Sequence, residues 1–209
     1  MKGNLLLTGF EPFGGDEVNP SGKIASSLDG AEVHGYRVVV RILPVEWGTV
    51  KNRLESLIDE LDPVAVLSLG LAAGRAEVSV EKVAVNYTAA AKDNAGVMPA
   101  ERPIVPGAAD GYFATIPAEQ VVEDICRKGI PARLSFTAGA YLCNYAFYCA
   151  SRFAREKGGK TQVGFIHIPA TPAMMAGKPR GGPSMDEDLV RDAVRQALTT
   201  IAFSFTNCG

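Results

Sequence analysis

The sequence predicts an α/β protein with a twisted, mostly parallel sheet flanked by helices on both faces. Apolar runs of strand length at 5–8, 38–43 and 65–70 alternate with a segment of helical period at 47–62. Such alternation is typical of βαβ units, which build parallel sheets. No linker, internal repeat or low-complexity tract interrupts the chain, so we expect one domain over residues 1–209.

The second half of the chain continues this alternation. Its predicted strands are 78–86, 132–136 and 163–168, and its predicted helices are 117–129, one from about 142, and one from about 185. Ser184 and Glu187 have the spacing of a capping box for the last helix. Two long loops rich in glycine and proline, 87–111 and 169–183, are expected to be functional or mobile.

Composition excludes several classes of function. Hydrophobic residues make up 47% and charged residues 21% of the chain, and the formal net charge is −2, so nucleic acid is not an expected partner. No apolar run is long enough to span a membrane and no signal-peptide core is present, so we expect a cytoplasmic protein. With two histidines and no CxxC spacing among the four cysteines, we expect free thiols and no metal site.

One of the four cysteines, Cys143, occupies a position suited to chemistry. Cys149 continues the buried stripe of its helix and Cys126 continues that of another, so both are predicted to pack in the core. Cys208, near the C-terminus, is expected to be exposed. Cys143 is off the stripe, at a strand-to-helix junction where backbone N–H groups favour a thiolate and an oxyanion.

A cysteine at a helix start needs a further group to become a good nucleophile. Lowering a thiol pKa by two units requires about 2.7 kcal/mol, whereas a helix terminus supplies about 0.3–1 kcal/mol. An imidazole is therefore expected nearby. His34 lies in a predicted surface turn, whereas His167 interrupts an apolar strand near its carboxyl end, although a histidine satisfied within the core is the alternative.

An acid is expected to orient that imidazole. Glu81 falls on the apolar face of the strand predicted at 78–86, where a carboxylate is costly unless it is paired. The alternative is a solvated carboxylate on an edge strand. Cys143, His167 and Glu81 thus form a candidate nucleophile, general base and orienting acid.

The glycine-rich segment TGFEPFGG, residues 8–15, follows the first strand. It matches neither the P-loop nor the dinucleotide-binding template, which leaves a nucleotide-binding protein as a weak alternative. Phe10 and Phe13 offer apolar faces for a small, planar, uncharged group, or else they plug the core. Asn19 has the position of an N-cap before Pro20.

Taken together, motifs along nearly the whole chain resemble the type I pyroglutamyl peptidases, also called pyrrolidone carboxyl peptidases. The motifs are TGFEPFGG, NPS, LPV, GLAAGR, VEKVAVN, PIVPGA, GIPA, AGAYLCNY and GFIHIP. The resemblance implies an α/β thiol protease that needs no cofactor and is often a homotetramer. It also implies hydrolysis of peptides that carry an N-terminal pyroglutamyl residue.

The resemblance also implies roles for six residues. By motif, the catalytic residues are Cys143 as nucleophile, His167 as base and Glu81 as orienting acid. The residues implied at the substrate are Phe10 and Phe13, which would hold the lactam ring, with Asn19 nearby. No metal or cofactor site is implied.

One stretch departs from the family pattern. After VAVN the family usually carries a stretch like ARIPDN, whereas this chain has YTAAAKDNAG, which is one residue shorter and lacks the arginine and the proline. If that arginine positions substrate, we expect slower turnover or an altered preference, with Lys92 as the nearest substitute. A homologue that binds a pyroglutamyl or similar ring without efficient turnover is the alternative function.

Overall fold

The computed structural model describes residues 1–89, 91–99 and 102–206, and its elements alternate as the sequence predicts. The strands in this part of the chain are β1 (Gly3–Phe10), β2 (Glu32–Val33), β3 (Tyr36–Leu43), β4 (Ala65–Leu71), β5 (Val78–Glu81), β6 (Val83–Val85), β7 (Gly111–Phe113), β8 (Ala132–Ser135) and β9 (Gln162–Ile168). The helices are α1 (Pro20–Ser26), α2 (Val50–Leu61), α3 (Ala118–Arg127), α4 (Leu142–Glu156), α5 (Pro172–Ala176) and α6 (Glu187–Ser204).

Seven strands form one sheet in the order β2, β3, β1, β4, β9, β5, β8. The four central strands β3, β1, β4 and β9 are parallel to one another, whereas β2 and β5, on either side of them, are antiparallel to β3 and β9. Helices α2 and α4 pack together over one face of the sheet, and α1 and α3 pack with α6 over the other. Because both faces are covered, β1, β4 and β9 are buried along nearly their whole length. The predicted fold class is confirmed.

The direction of winding reverses at β1, which creates a crevice at one edge of the sheet. α1 carries the chain from β1 to β3, and α2 then carries it back past β1 to β4. The loops that follow β1 and β4 therefore leave in different directions from the carboxyl ends of adjacent strands. Ligands of open α/β sheets bind in such crevices.

The start of α1 lies directly against β1. A Cβ atom at Gly9 would be 2.4 Å from the backbone oxygen of Ser21, so only glycine permits this approach. As predicted, Asn19 caps the helix, and its Oδ1 accepts from the Ser21 N–H at 3.0 Å. The cap thereby fixes the segment that follows the carboxyl end of β1.

The predicted strand 78–86 is wrong as a single strand. It breaks at Lys82 into β5 and β6, and β6 pairs with β7 in a separate two-stranded sheet. The break occurs because Thr115 pairs with Val163 of β9. The Thr115 N–H donates to the Val163 carbonyl oxygen, and the Thr115 hydroxyl accepts from the Val163 N–H. Thr115 therefore occupies the place beside β9 into which β5 would otherwise continue. Glu81 is consequently the last residue of its strand rather than a residue in the middle.

The strand predicted at 132–136 is present as β8, but it does not run in the direction of the central strands. β8 is parallel to β5, but β5 is antiparallel to β9, so the carboxyl end of β8 points away from that of β9. Residues 136–141 turn the chain back, and α4 still begins beside the carboxyl ends of β4 and β9. The capping box is wrong as well, because Asp186 caps α6, with its carboxylate accepting from the Asp188 N–H.

The described cysteines and the exposed histidine follow the sequence predictions with one exception. Cys149 is buried and His34 is an exposed turn residue with φ 49°, as expected. Cys126 is exposed, contrary to prediction. The preceding residue of α3, Ile125, faces the core, so the side chain of Cys126 faces away from it. Cys208 lies outside the described residues. No helix in the described part of the chain is long and apolar enough to cross a bilayer.

Candidate active site

A cavity of about 160 Å³ opens at the carboxyl edge of the parallel strands, beside the start of α4. Five of the six residues predicted at the site line it, together with apolar residues such as Leu71 and Leu142. The five are Phe10, Phe13, Asn19, Cys143 and His167. The sixth, Glu81, lies behind His167 and makes contact with it.

Cys143 is the second residue of α4 and is half-buried. Its thiol lies over Gly70 of β4, where a Cβ atom would be only 2.8 Å from Sγ. Gly70 pairs in register with His167 of β9. The absence of a side chain at Gly70 therefore leaves room for the thiol beside the imidazole of His167.

The first turn of α4 forms part of the cavity wall. Its N-cap residue Tyr141 is extended, and within the described residues no side-chain hydrogen bond caps this end. The N–H groups of a first helical turn have no partner within the helix. Because Tyr141, Leu142 and Cys143 line the cavity, these N–H groups are available to an oxyanion there.

Asn144 fixes the start of α4 and was missed by the sequence reasoning. Its buried side chain accepts from the Val85 N–H at 2.9 Å and donates to the oxygens of Val85 and Tyr87 at 2.9 and 3.1 Å. These bonds hold the residue after Cys143 to the end of β6. The signal in the sequence was a polar residue that directly follows the cysteine in AGAYLCNY.

His167 and Glu81 form a buried pair. Nδ1 of His167 lies 2.7 Å from Oε1 of Glu81, and the two residues are 5% and 0% exposed. They lie diagonally across the antiparallel ladder between β9 and β5, in which Ser79 pairs with His167 and Glu81 with Phe165. Because β5 lies between β9 and β8, the edge-strand alternative for Glu81 is wrong.

Arg75 completes this cluster, although its motif GLAAGR did not by itself predict a role for the arginine. Nη1 of Arg75 donates to Oε1 of Glu81 at 2.6 Å, and Nη2 donates to the Thr137 carbonyl oxygen at 3.1 Å. The arginine lies in the loop after β4, four residues beyond the last residue of that strand. That position, an arginine just after a buried strand, was the available signal.

The charges of the cluster support one another. Burial disfavours the charged imidazole, but the Cys143 thiolate and the Glu81 carboxylate outweigh burial and raise the pKa of His167 to about 9. Burial also raises the pKa of Glu81, yet hydrogen bonds from His167 and Ser135, the imidazolium charge and Arg75 together lower it below its ordinary value. At neutral pH these shifts favour a protonated His167 imidazole paired with an ionised Glu81 carboxylate.

The aromatic residues predicted for a ring substrate form one side of the cavity. Phe10 is buried at the end of β1, whereas Phe13 is half-buried in the following loop. Asn19 holds this loop in place, because its Nδ2 donates to the Glu11 carbonyl oxygen at 3.0 Å while its Oδ1 accepts from Ser21. Phe10 is therefore both a core residue and a wall of the cavity.

The segment that departs from the family pattern packs against the outside of the same walls. Asn94 donates to the Pro12 carbonyl oxygen at 2.8 Å, and the Asp93 carboxylate accepts from the Trp47 N–H at 2.9 Å. The backbone oxygen of Lys92 accepts from the Tyr141 hydroxyl at 2.9 Å. Lys92 is exposed, and its role as a substitute for the arginine stays a prediction.

A half-buried thiol beside a buried imidazole and a carboxylate, at the wall of an apolar cavity, is the arrangement of a cysteine hydrolase. The family model described as pyroglutamyl peptidase matches residues 3–203, and the chain belongs to the pyroglutamyl peptidase family. The resemblance found in the sequence motifs is thereby confirmed.

Related proteins agree with this assignment over nearly their whole length. The chain is 40% identical to the pyrrolidone-carboxylate peptidase of Pyrococcus furiosus over 198 residues, which covers 93% of this chain and 95% of that protein. A solved structure of a mutant pyrrolidone carboxyl peptidase from the same organism is similar with a TM-score of 0.93 at 38% identity, covering 97% of this chain and 99% of that one. The structure of Bacillus amyloliquefaciens pyroglutamyl peptidase I gives 0.93 at 33% identity, covering 97% and 98%.

The imidazolium beside Cys143 predicts unusual thiol reactivity at low pH. At pH 6, iodoacetamide should alkylate Cys143 at least about tenfold faster in the wild type than in His167→Gln, because the protonated imidazole stabilises the thiolate. Peptide mapping by mass spectrometry measures the modification at each cysteine. Cys149 is the internal control, since burial raises the pKa of its thiol to about 12 and keeps it unreactive. Equal rates for Cys143 in the two chains would contradict the contact.

Proposed function

We propose that this chain is a cysteine peptidase that removes the N-terminal pyroglutamyl residue from peptides through a thioester intermediate, without a cofactor. The observation that carries the proposal is the line of contacts from Glu81 to His167 to Cys143, which ends at the cavity wall. Membership of the pyroglutamyl peptidase family supports the choice of substrate.

In the proposed reaction, Cys143 is the nucleophile. The thiolate attacks the pyroglutamyl carbonyl carbon, and N–H groups at the start of α4 hold the oxyanion. His167 donates its proton to the leaving amine as the C–N bond breaks, which leaves a thioester on Sγ. His167 then removes a proton from water, the resulting hydroxide equivalent attacks the thioester, and pyroglutamate leaves as the thiolate is restored. Glu81 orients the imidazole and stabilises its charged form.

The cavity also accounts for selectivity toward a blocked N-terminus. A pyroglutamyl ring is small, planar and uncharged, and Phe10 and Phe13 offer it apolar walls. Asn19 supports the loop between these walls rather than leaving its Oδ1 free, so we assign it a positioning role at the substrate. None of the residues that line the cavity in the described part of the chain is acidic. An ordinary N-terminal ammonium would therefore lack a partner, which is costly.

Release of a fluorescent amine from a pyroglutamyl amide tests the proposal. We expect turnover by the wild type and by Cys149→Ser, and a loss of roughly 10³-fold or more in Cys143→Ser. Melting temperatures verify that each variant is folded. The same amide with N-terminal glutamine in place of pyroglutamate should be cleaved far more slowly by the wild type, because its ammonium is excluded.

Two results would contradict the proposal. Inactivity of the folded wild type, with the ring ligand still raising its melting temperature, would indicate a binding homologue instead of an enzyme. Undiminished activity in Cys143→Ser would remove the assigned nucleophile.

We further propose that the chain acts as one domain that assembles into a homo-oligomer, a dimer or tetramer, in the cytoplasm. The site draws on Phe10 in the first strand and His167 in the last, which supports a single unit. Phe113 and Phe136 are 65% and 66% exposed, and a partner subunit that covered them would remove this apolar surface from water. A reducing compartment suits the free thiols of Cys126, Cys143 and Cys149.

Light scattering in reducing buffer should give a multiple of 22.1 kDa, and the mass of one chain would refute assembly.

A further inference from the structure

We propose that Arg75 is a positioning residue for the reaction, which orients the Glu81 carboxylate toward His167 and ties it to the loop that leads into Cys143. The inference rests on the proposed function and adds to it a residue that touches neither substrate nor thiol. Its basis is the set of contacts made by the two ends of one guanidinium group.

One end of the Arg75 guanidinium, Nη1, holds the Glu81 carboxylate in place. Oε1 of Glu81 accepts from Nη1 of Arg75 at 2.6 Å and lies 2.7 Å from Nδ1 of His167. Both cationic groups therefore converge on one carboxylate oxygen, which sets the rotation of the carboxylate. The side chains of Arg75 and Glu81 are 20% and 0% exposed, so water competes little for this ion pair.

The second end of the guanidinium reaches the loop before the nucleophile. Nη2 donates to the carbonyl oxygen of Thr137 at 3.1 Å, within residues 136–141, which turn the chain from β8 into α4. In the same turn, the Thr137 hydroxyl accepts from the Gly139 N–H at 3.1 Å. The planar, forked guanidinium thus connects the strand that carries the acid to the turn that delivers Cys143. A lysine would supply the charge but not two donors in fixed geometry.

Because Arg75 lies among charged groups, its role can be measured from the pH dependence of activity. Among the described residues, the titratable or charged groups that face the cluster are Arg75, Glu81, Cys143 and His167, with the hydroxyls of Ser135 and Tyr141 beside them. Lys82 points away and pairs with Glu119 at 2.8 Å. With the thiolate and the imidazolium formed, two cations balance two anions. Loss of the arginine would leave an excess negative charge, which favours protonation of every neighbouring group.

The test compares Arg75→Gln and Arg75→Lys with the wild type in the hydrolysis of a pyroglutamyl amide across a range of pH. Arg75→Gln should lower kcat by about tenfold or more with little change in KM, as loss of an outer hydrogen-bonding partner does elsewhere. Both limbs of its kcat/KM profile should move to higher pH. Arg75→Lys should keep both limbs at their wild-type pH but show a reduced kcat, because only the contact with Thr137 is lost.

Arg133→Gln is the matched control. Arg133 lies in β8 near the same loop, pairs with Glu77 at 2.9 Å and is 54% exposed, so its loss should change neither kcat nor the limbs. Melting temperatures of all variants show whether they are folded.

Two results would overturn the inference while leaving the proposed function intact. One is an Arg75→Gln enzyme with wild-type kcat and wild-type limbs. The other is a uniform loss of activity at every pH that follows a lowered melting temperature, since this would indicate a purely structural arginine. Inactivity of the wild type would instead refute the proposed function itself.

Discussion

The burial of one ionised carboxylate, that of Glu81, is the constraint on which the site depends. Removing such a charge from water costs several kcal/mol unless charges and hydrogen bonds compensate. Here His167 and Arg75 both contact Oε1, and the contact with His167 depends on the position of β5 beside β9. Because β5 ends at Glu81, the carboxylate lies at the end of its strand. The requirement to satisfy this charge thus links the loop after β4 with β5 and β9.

The mixed direction of the strands brings Cys143 to the same place. In the antiparallel ladder between β5 and β9, Glu81 lies diagonally across from His167, at hydrogen-bonding distance through their side chains. β8 then runs in the same direction as β5, so the chain must turn back through residues 136–141 before α4 begins. Gly70 leaves the space that the thiol occupies, and Asn144 anchors the start of the helix. Each of these features limits the freedom of Cys143.

Much of this arrangement is predictable from the sequence, and the failures have physical causes. Periodicity separates Cys143 from the buried stripe because adjacent helical positions differ by about 100° in direction. The same geometry explains the wrong prediction for Cys126, since it and Ile125 are consecutive and only one of them faces the core. The break at Lys82 results from a long-range pairing of Thr115 with Val163, which no local pattern encodes. Strand direction in β8 and the partner of Arg75 depend likewise on tertiary contacts.

The charged cluster is tested most directly by an NMR titration of the His167 imidazole. The chain has only two histidines, so a His34→Gln variant assigns the His167 signal without ambiguity. We expect a midpoint at about pH 9, and a lower midpoint in Cys143→Ala, which lacks the thiolate charge. Since this pKa lies above the ordinary value of 6.5, the stability contributed by charged His167 is fully present below pH 6.5 and is lost as pH rises through about 9. A midpoint at or below 6.5 would contradict the charged cluster and the mechanism built on it.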